Sequence, residues 1–263
     1  MTLTMNKTKI SYAITVCNEL KEFENLLDSL GNKIPNNRDS EIVILCDSKN
    51  GNVGGVIDIY NRFLETFNPV YEHILELSPF DNDFANHKNH LNSLCEGEWI
   101  LQLDADEDVT QGLLYYFDEI IKNSDEDVEI VGVPRINIVN GLTAYWAEQW
   151  KWKLTVDKTT EYLGQYDILG HDAFKLIDSM DAIVYDNDIA TSGGFIYNPI
   201  LVNFPDYQLR FYRNLPKIKW EGKVHERVTG GKICLIPENI NYCIKHIKSI
   251  DKQIKQNKLY ETI

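Results

Sequence analysis

The chain predicts an α/β fold built on a mostly parallel sheet with helices on both faces. Two observations carry that prediction. Short apolar runs alternate with helical stripes through the first half, the pattern of βαβ units. Polar residues, namely Asn18, Asp47 and Asp104, stand just past the ends of three of those runs. In open parallel sheets ligands gather at the carboxyl ends of the strands, so these three residues share one rim.

The elements follow in order. Ile10–Val16 reads as a buried strand, and Lys21–Leu30 as a helix with Phe23, Leu26, Leu27 and Leu30 on one stripe. Gly31 is the expected C-cap. Glu41–Cys46 is a second strand that ends on Asp47, Val56–Phe67 a helix, and Tyr71–Leu77 a third strand. Asp83–Cys95 is a helix that stops near Gly97, followed by the strand Trp99–Leu103, which ends on Asp104. A helix over Leu113–Ile121 and a strand over Glu129–Pro134 complete the alternation. Beyond that, Tyr145–Trp152 is rich in aromatic residues, and the stretch from about Thr155 to Asn203 reads as an insertion or lid. Tyr207–Tyr212 is a strand, and Lys245–Tyr260 a lysine-rich helix with Ile247, Ile250 and Ile254 on one face.

Composition bounds the class. The chain has 263 residues, 43% hydrophobic and 25% charged, enough for a globular core. Its formal net charge of −14 repels nucleic acid and anionic membranes except through a local basic face. Any bound phosphate therefore needs nearby cations or a metal. The five cysteines are scattered and form no C-x-x-C pair, which fits free thiols in a reducing compartment. Met1–Lys9 lacks the apolar core of a signal peptide, and no stretch reaches transmembrane length. The expectation is a soluble, cytoplasmic protein whose membrane association is at most peripheral.

The strongest chemical signal is Trp99–Asp108, where an apolar strand delivers Asp104-Ala105-Asp106 into the strand-end crevice. Oxygen ligands of this kind suit Mg²⁺ or Mn²⁺ bridging to a diphosphate. The other reading is a solvated acidic turn. An EF-hand is excluded, because Val109 and Tyr115 stand where Gly and Glu are required. An aspartyl-phosphate phosphatase fits poorly, with Asp108 at the fifth position and the motif on the fourth strand. Neither a P-loop nor a dinucleotide fingerprint is present. A second signal, Lys223–Glu226, offers His225 as a metal ligand and Glu226 as a general base, with a structural histidine as the alternative. Arg135, Arg210 and Arg213 are phosphate-contact candidates, for which surface ion pairing is the commoner role. Trp146, Trp150 and Trp152 suit sugar stacking or core packing.

Taken together, Ile14–Glu19, Asp47, Asp83–Asn89, Gly97–Glu107, Pro205–Arg213 and Trp220–Glu226 resemble the family 2 inverting glycosyltransferases. The resemblance covers nearly the whole chain apart from 155–203. It implies a GT-A-like, Rossmann-like nucleotide-diphospho-sugar transferase domain over 1–245, with 246–263 a C-terminal helix packed on it. It also implies a nucleotide-sugar site made of Thr15, Asn18, Glu19, Asp47, Lys88, Asp104, Ala105 and Asp106. The motif departs from the family at Asp47, which is followed by Ser48-Lys49-Asn50 rather than Asp or Gly-Ser. A metal, Mn²⁺ or Mg²⁺, would be held by Asp104, Asp106 and His225, and the diphosphate would lie near Lys88. Glu226 is the first choice of catalytic base, ahead of Glu148 and Asp206, with Asp106 the other catalytic residue. The implied donor is a UDP-sugar. The acceptor is a hydroxyl on a glycan, a lipid-linked sugar, a protein or a modified nucleic acid. Compact enzymes of this kind occur in phages and large viruses. Two other classes remain: a non-catalytic nucleotide-sugar or carbohydrate-binding protein on the same fold, and a sugar nucleotidyltransferase. The latter lacks its Gly-rich, Arg-containing loop after the first strand.

Overall fold

A computed structural model describes residues 9–35, 39–67, 72–123, 127–156 and 200–260. Two compact units emerge, Met1–Val133 with Tyr207–Ile244, and Pro134–Asp206 with Lys245–Ile263.

The first unit opens with β1 (Ile10–Val16), α1 (Leu20–Lys33), β2 (Ser40–Asp47), α2 (Val53–Phe67), β3 (Glu72–Ser78), α3 (Phe84–Ser93) and β4 (Trp99–Asp104). β2 pairs in parallel with β1 and with β3, and β4 joins the other side of β1, also in parallel. β1, β2 and β4 are buried almost throughout, which explains their near-continuous apolar sequences. Their side chains alternate between two faces. Ile10, Tyr12, Ile14, Ile42, Ile44, Leu101 and Leu103 pack with α1 and α2, and with Leu113, Leu114 and Phe117 of α4 (Gln111–Asn123). Ala13, Val43, Leu45 and Ile100 pack with Ala85 and Leu91 of α3 on the other face. Helices therefore cover both faces, as the alternation of strands and helices requires.

The sheet continues past β4 with β8 (Ile200–Arg213), antiparallel to β4 in the register Trp99↔Arg213. β6 (Ile130–Asn140) lies beyond β8, with β11 (Ile233–Leu235) parallel to its first residues. β5 (Glu107–Val109) follows Asp104 directly. β9 (Lys219–Glu221) and β10 (Arg227–Thr229) make a separate antiparallel hairpin.

The second unit has its own cluster of Val139, Leu142, Ala147, Leu154 and Val202. It contains α5 (Ala144–Gln149) and β7 (Leu154–Val156), which is antiparallel to the start of β8. β12 (Ile244–Ser249) lies beside β6 and leads into α6 (Ile250–Tyr260). The expected insertion over 155–203 falls mostly outside the described residues.

Three expectations need correction. Lys245–Ser249 is strand, so the C-terminal helix starts at Ile250 rather than at 245 or 246. Ile244 and His246 are buried and Lys245 is exposed, a period of two. Of the isoleucines counted as a helical stripe, Ile250 and Ile254 lie in the helix and Ile247 falls in the strand. Gly31 is not a C-cap, since α1 runs on to Lys33 and the Ile34 amide closes it on the Leu30 carbonyl. A Cβ at Gly31 would come within 2.7 Å of the Phe67 ring, so the glycine permits the close approach of α1 and α2. The strands expected over Glu129–Pro134 and Tyr207–Tyr212 are longer, running to Asn140 and back to Ile200.

In an ordinary helix interior, Gly→Ala stabilises by about 1 kcal/mol. Gly31→Ala is expected to destabilise instead, by about 1–3 kcal/mol through overpacking. The loss should shrink in a Phe67→Ala background, as read by urea denaturation of the double-mutant cycle.

Candidate functional site

The strand order β3-β2-β1-β4 reverses direction between β1 and β4. At such a switch point the flanking loops diverge and leave a crevice at the strand carboxyl ends. Thr15 and Asp104 face each other across it in register. Thr15 Oγ1 donates to Asp104 Oδ1 at 2.9 Å, and the Ala105 amide donates to the Thr15 carbonyl at 3.0 Å. The first carboxylate of the acidic motif is thus tied to β1 by side chain and backbone.

A buried ion network surrounds Asp104. Lys88, on the buried stripe of α3 and 3% exposed, places its ammonium 3.1 Å from Asp104 Oδ1 and 2.7 Å from Glu226 Oε1. Arg210 of β8, 4% exposed, reaches Asp104 Oδ2 at 2.7 Å and Glu107 Oε1 at 3.2 Å, and donates to Gln102 Oε1. Glu107 Oε2 in turn accepts the Asp104 amide at 3.1 Å. Trp220 of β9 lies against both cations, 4.6 Å from the Lys88 nitrogen and 5.6 Å from the Arg210 guanidinium carbon. Its backbone exchanges two hydrogen bonds of 2.9 Å with the Asn89 side chain, and its indole N–H donates to the Tyr212 hydroxyl. These anchors hold the β9–β10 hairpin, and with it Glu226, against α3.

Burial alone would raise the Asp104 pKa, but the charges of Arg210 and Lys88 outweigh it and hold the carboxyl well below its usual range. Burial would likewise depress Arg210, and Asp104 and Glu107 reverse that. Three carboxylates (Asp104, Glu107, Glu226) meet two cations (Lys88, Arg210). The network keeps a negative excess, and half-buried Asp106 lies two residues away.

A second group sits at the ends of β1 and β2. Asp47 Oδ1 accepts the amides of Lys49, Asn50 and Phe80 at 2.8, 3.3 and 3.1 Å, and Oδ2 accepts Asn50 Nδ2 at 3.0 Å. Burial pushes this carboxyl up, and the donors bring it below its ordinary value. Glu19 accepts the Cys17 and Asn18 amides at 3.2 and 3.0 Å, while Asn18 Nδ2 donates to the Asn50 carbonyl at 3.0 Å. The Cys17 thiol is pushed up to about 12 by burial and by Asp47 and Glu19. At neutral pH, with no metal bound, it is a neutral thiol rather than a thiolate nucleophile.

Asp104, Asp106 and His225 do not each bring a ligand atom within 4.8 Å of the others. Among the described residues the group that does is Glu41, Glu72 and Glu96, over which Lys9 Nζ sits at 3.2, 2.6 and 3.3 Å. His225 is exposed and has a left-handed backbone, φ +55°. The chemistry of the set still fits a hard divalent ion. Mg²⁺ and Mn²⁺ accept one or two protein carboxylates and take their remaining ligands from substrate phosphates. Of the other base candidates, Asp206 is paired with Arg135 at 2.7 Å and Asn137 at 2.9 Å, and Glu148 is exposed on α5.

Gln102, Glu107 and Trp220 were not singled out as site residues by sequence. Arg210 was a phosphate-contact candidate with surface ion pairing as the commoner role, and it is buried beside two carboxylates. The available signal was Gln102, a polar residue inside a run that is otherwise buried and apolar.

Residues 11–177, more than half of the chain, match the model of glycosyl transferase family 2. The chain belongs to that family. Its two-faced, mostly parallel sheet is accordingly the GT-A-like scaffold of that family. No curated protein sequence matches it significantly. It is similar in structure to S. aureus TarS 1-349 in complex with UDP, at 18% identity and TM-score 0.40, over 49% of this chain and 36% of that one. It is also similar to the mannosyltransferase PcManGT from Pyrobaculum calidifontis in complex with GDP-Man and Mn²⁺, at 19% identity and TM-score 0.42, over 50% of this chain and 36% of that one. The aligned part thus spans little more than a third of those proteins, and family membership rests on the sequence match. Among the described residues of this family 2 chain, no helix is long and apolar enough to cross a membrane.

Arg210→Met takes the guanidinium from buried Glu107 and leaves half-buried Asp104 to Lys88, so it should cost about 3–5 kcal/mol in urea denaturation. The pH dependence gives a second reading. In the native protein the depressed Asp104 contributes stability above its unfolded pKa of about 3.9, lost as pH falls through the folded value. Without Arg210 the burial effect gains weight, so the rise in stability as pH climbs toward about 4 should flatten.

Proposed function

We propose that this chain is an inverting, metal-dependent glycosyltransferase that moves a sugar from a nucleotide donor, a UDP-sugar by family resemblance, to an acceptor hydroxyl. The observation that carries this reading is the network at the β1–β4 switch point, where Asp104 is fixed by Thr15, Lys88 and Arg210 with a carboxylate excess beside Asp106.

Each residue has a role in this reading. Thr15, Asn18, Glu19 and Asp47 line the nucleoside side of the crevice. Asp47 and Glu19 do so by shaping the loops after β1 and β2 through the amides they accept. Asp104 and Ala105 form the floor under the donor. Lys88 offers its ammonium to the diphosphate. Asp106 holds Mn²⁺ or Mg²⁺, with Asp104 and His225 as further ligand candidates. When bound, the ion offsets the charge that develops on the departing nucleoside diphosphate. Glu226 is the base. Its carboxylate takes the proton of the acceptor hydroxyl as that oxygen bonds to the anomeric carbon. The bond from that carbon to the diphosphate oxygen breaks on the opposite face, which inverts the centre. The 2.7 Å contact with the Lys88 ammonium orients Glu226.

The protein is to be incubated with UDP-, GDP-, CMP- and dTDP-sugars, with and without Mn²⁺, and donor binding and hydrolysis measured. At least one donor should bind, and Mn²⁺ should tighten it. Asp106→Ala should remove the Mn²⁺ effect. The reading is lost if no nucleotide sugar binds and neither Asp104→Ala nor Asp106→Ala changes anything. Once an acceptor is in hand, Glu226→Gln should lower transfer by about 10²–10⁴-fold while donor binding persists. NMR of the product should show the inverted anomer, and a retained anomer would overturn the single-displacement mechanism.

A further inference from the structure

The second unit carries an aromatic surface to which the donor site assigns no role. Trp146 and Trp150 are four residues apart at the end of α5, so they meet on one side of the helix. Their rings stack at 4.8 Å with 24° between planes. The chain then turns sharply. Lys151 takes a left-handed conformation, φ +54°, and the Trp152 amide donates back to the Ala147 carbonyl at 2.9 Å. This turn brings Trp152 within 4.7 Å of Trp150. Tyr145 meets Trp146 edge-on at 5.0 Å.

Core packing does not account for this arrangement. The other tryptophans of the chain are core residues, Trp99 at 1% exposure and Trp220 at 5%. Trp146, Trp150 and Trp152 are only half-buried, and Tyr145 is 61% exposed. Trp146 and Trp152 pack on the unit's apolar cluster and anchor the stack. Glu148, Gln149, Lys151 and Lys153 around it are exposed and carry both hydrogen-bond donors and acceptors.

We propose that Tyr145, Trp146, Trp150 and Trp152 form a platform that binds the pyranose rings of an acceptor glycan. A pyranose has an apolar C–H face and a rim of hydroxyls. The C–H face suits the negative face of an indole, and the rim suits polar side chains beside it. Rings stacked on one another are already ordered, so binding costs little side-chain entropy. A membrane interface also attracts Trp, Tyr and Lys. A stack of rings in mutual contact offers one rigid face rather than separate inserting side chains, and the Glu148 carboxylate beside it opposes anionic headgroups. The proposal rests on the glycosyl-transfer reading, whose acceptor it assigns to the glycan class.

The test is binding of cellohexaose, maltohexaose and chitohexaose to the full chain, followed by tryptophan fluorescence and calorimetry. At least one should bind. Trp150→Leu, which keeps apolar volume but has no aromatic face, should weaken binding roughly tenfold or more. Trp150→Tyr should stay within about threefold of wild type, since it keeps an aromatic face. Near-UV circular dichroism checks that each variant is folded. If Trp150→Leu fails that check, Tyr145→Ala, an exposed position, should still weaken binding severalfold. The proposal is overturned if none of the three oligosaccharides binds or if the folded Trp150→Leu and Tyr145→Ala variants bind as wild type does. Retention of the chain on 3:1 phosphatidylcholine–phosphatidylglycerol vesicles without oligosaccharide binding would also overturn it. Donor hydrolysis on the same wild-type sample separates the two readings. Hydrolysis without oligosaccharide binding removes the platform alone. Oligosaccharide binding without hydrolysis supports the platform and counts against the catalytic reading.

Discussion

The pairing of Asp104 with Arg210 and Lys88 is the constraint on which the rest of the site depends. A carboxylate at the end of a buried strand loses most of its hydration, and an unpaired charge there would be neutralised by protonation or would destabilise the fold. Two nearly buried cations from distant parts of the chain prevent that. Their positions require other features. Arg210 needs β8 antiparallel beside β4, which sets its guanidinium next to Gln102 and Asp104. Lys88 needs α3 to turn a polar residue inward between Ala85 and Leu91. Trp220 then fills the space against both cations and fastens the β9–β10 hairpin to α3 through Asn89.

In the proposed reading, this arrangement reconciles the acidic chain with an anionic donor. The formal charge of −14 works against binding a diphosphate anywhere on the molecule. At the switch point the charges are local and nearly balanced, and Lys88 is already held in place. In the proposed reading, the small carboxylate excess beside Asp106 would attract a divalent cation rather than a phosphate, so cation and donor would suit each other better than either suits the bare crevice. The same logic accounts for the loops after β1 and β2. Asp47 and Glu19 spend their acceptor capacity on backbone amides, which keeps two acidic side chains from acting as loose repulsive charges at the rim.

Much of the fold and part of the site were legible without coordinates. β1, β2 and β4 were found within a residue or two because parallel strands buried on both faces have nearly uninterrupted apolar sequences. The rim residues Asn18, Asp47 and Asp104 were found because polar residues directly after such strands mark the carboxyl edge. Lys88 was singled out only by its place in a family motif, and Glu226 as the carboxylate beside His225. β5, β9, β10 and β11 escaped notice because three-residue strands carry no periodicity. Lys245–Ser249 was misread because Ile247 stands at helical spacing from Ile250 and Ile254, which do lie in a helix.

The sequence by itself determined the α/β class, the succession of central strands along the chain, the family and the acidic motif at a strand end, since each is written in local pattern and spacing. Tertiary structure alone decided what Asp104 touches. Arg210 is 106 positions away along the chain, and Glu226 is 138 positions from the lysine that holds it. No local pattern encodes such pairings, because they follow from which strand lies next to which and from the need to compensate a charge that folding removes from water.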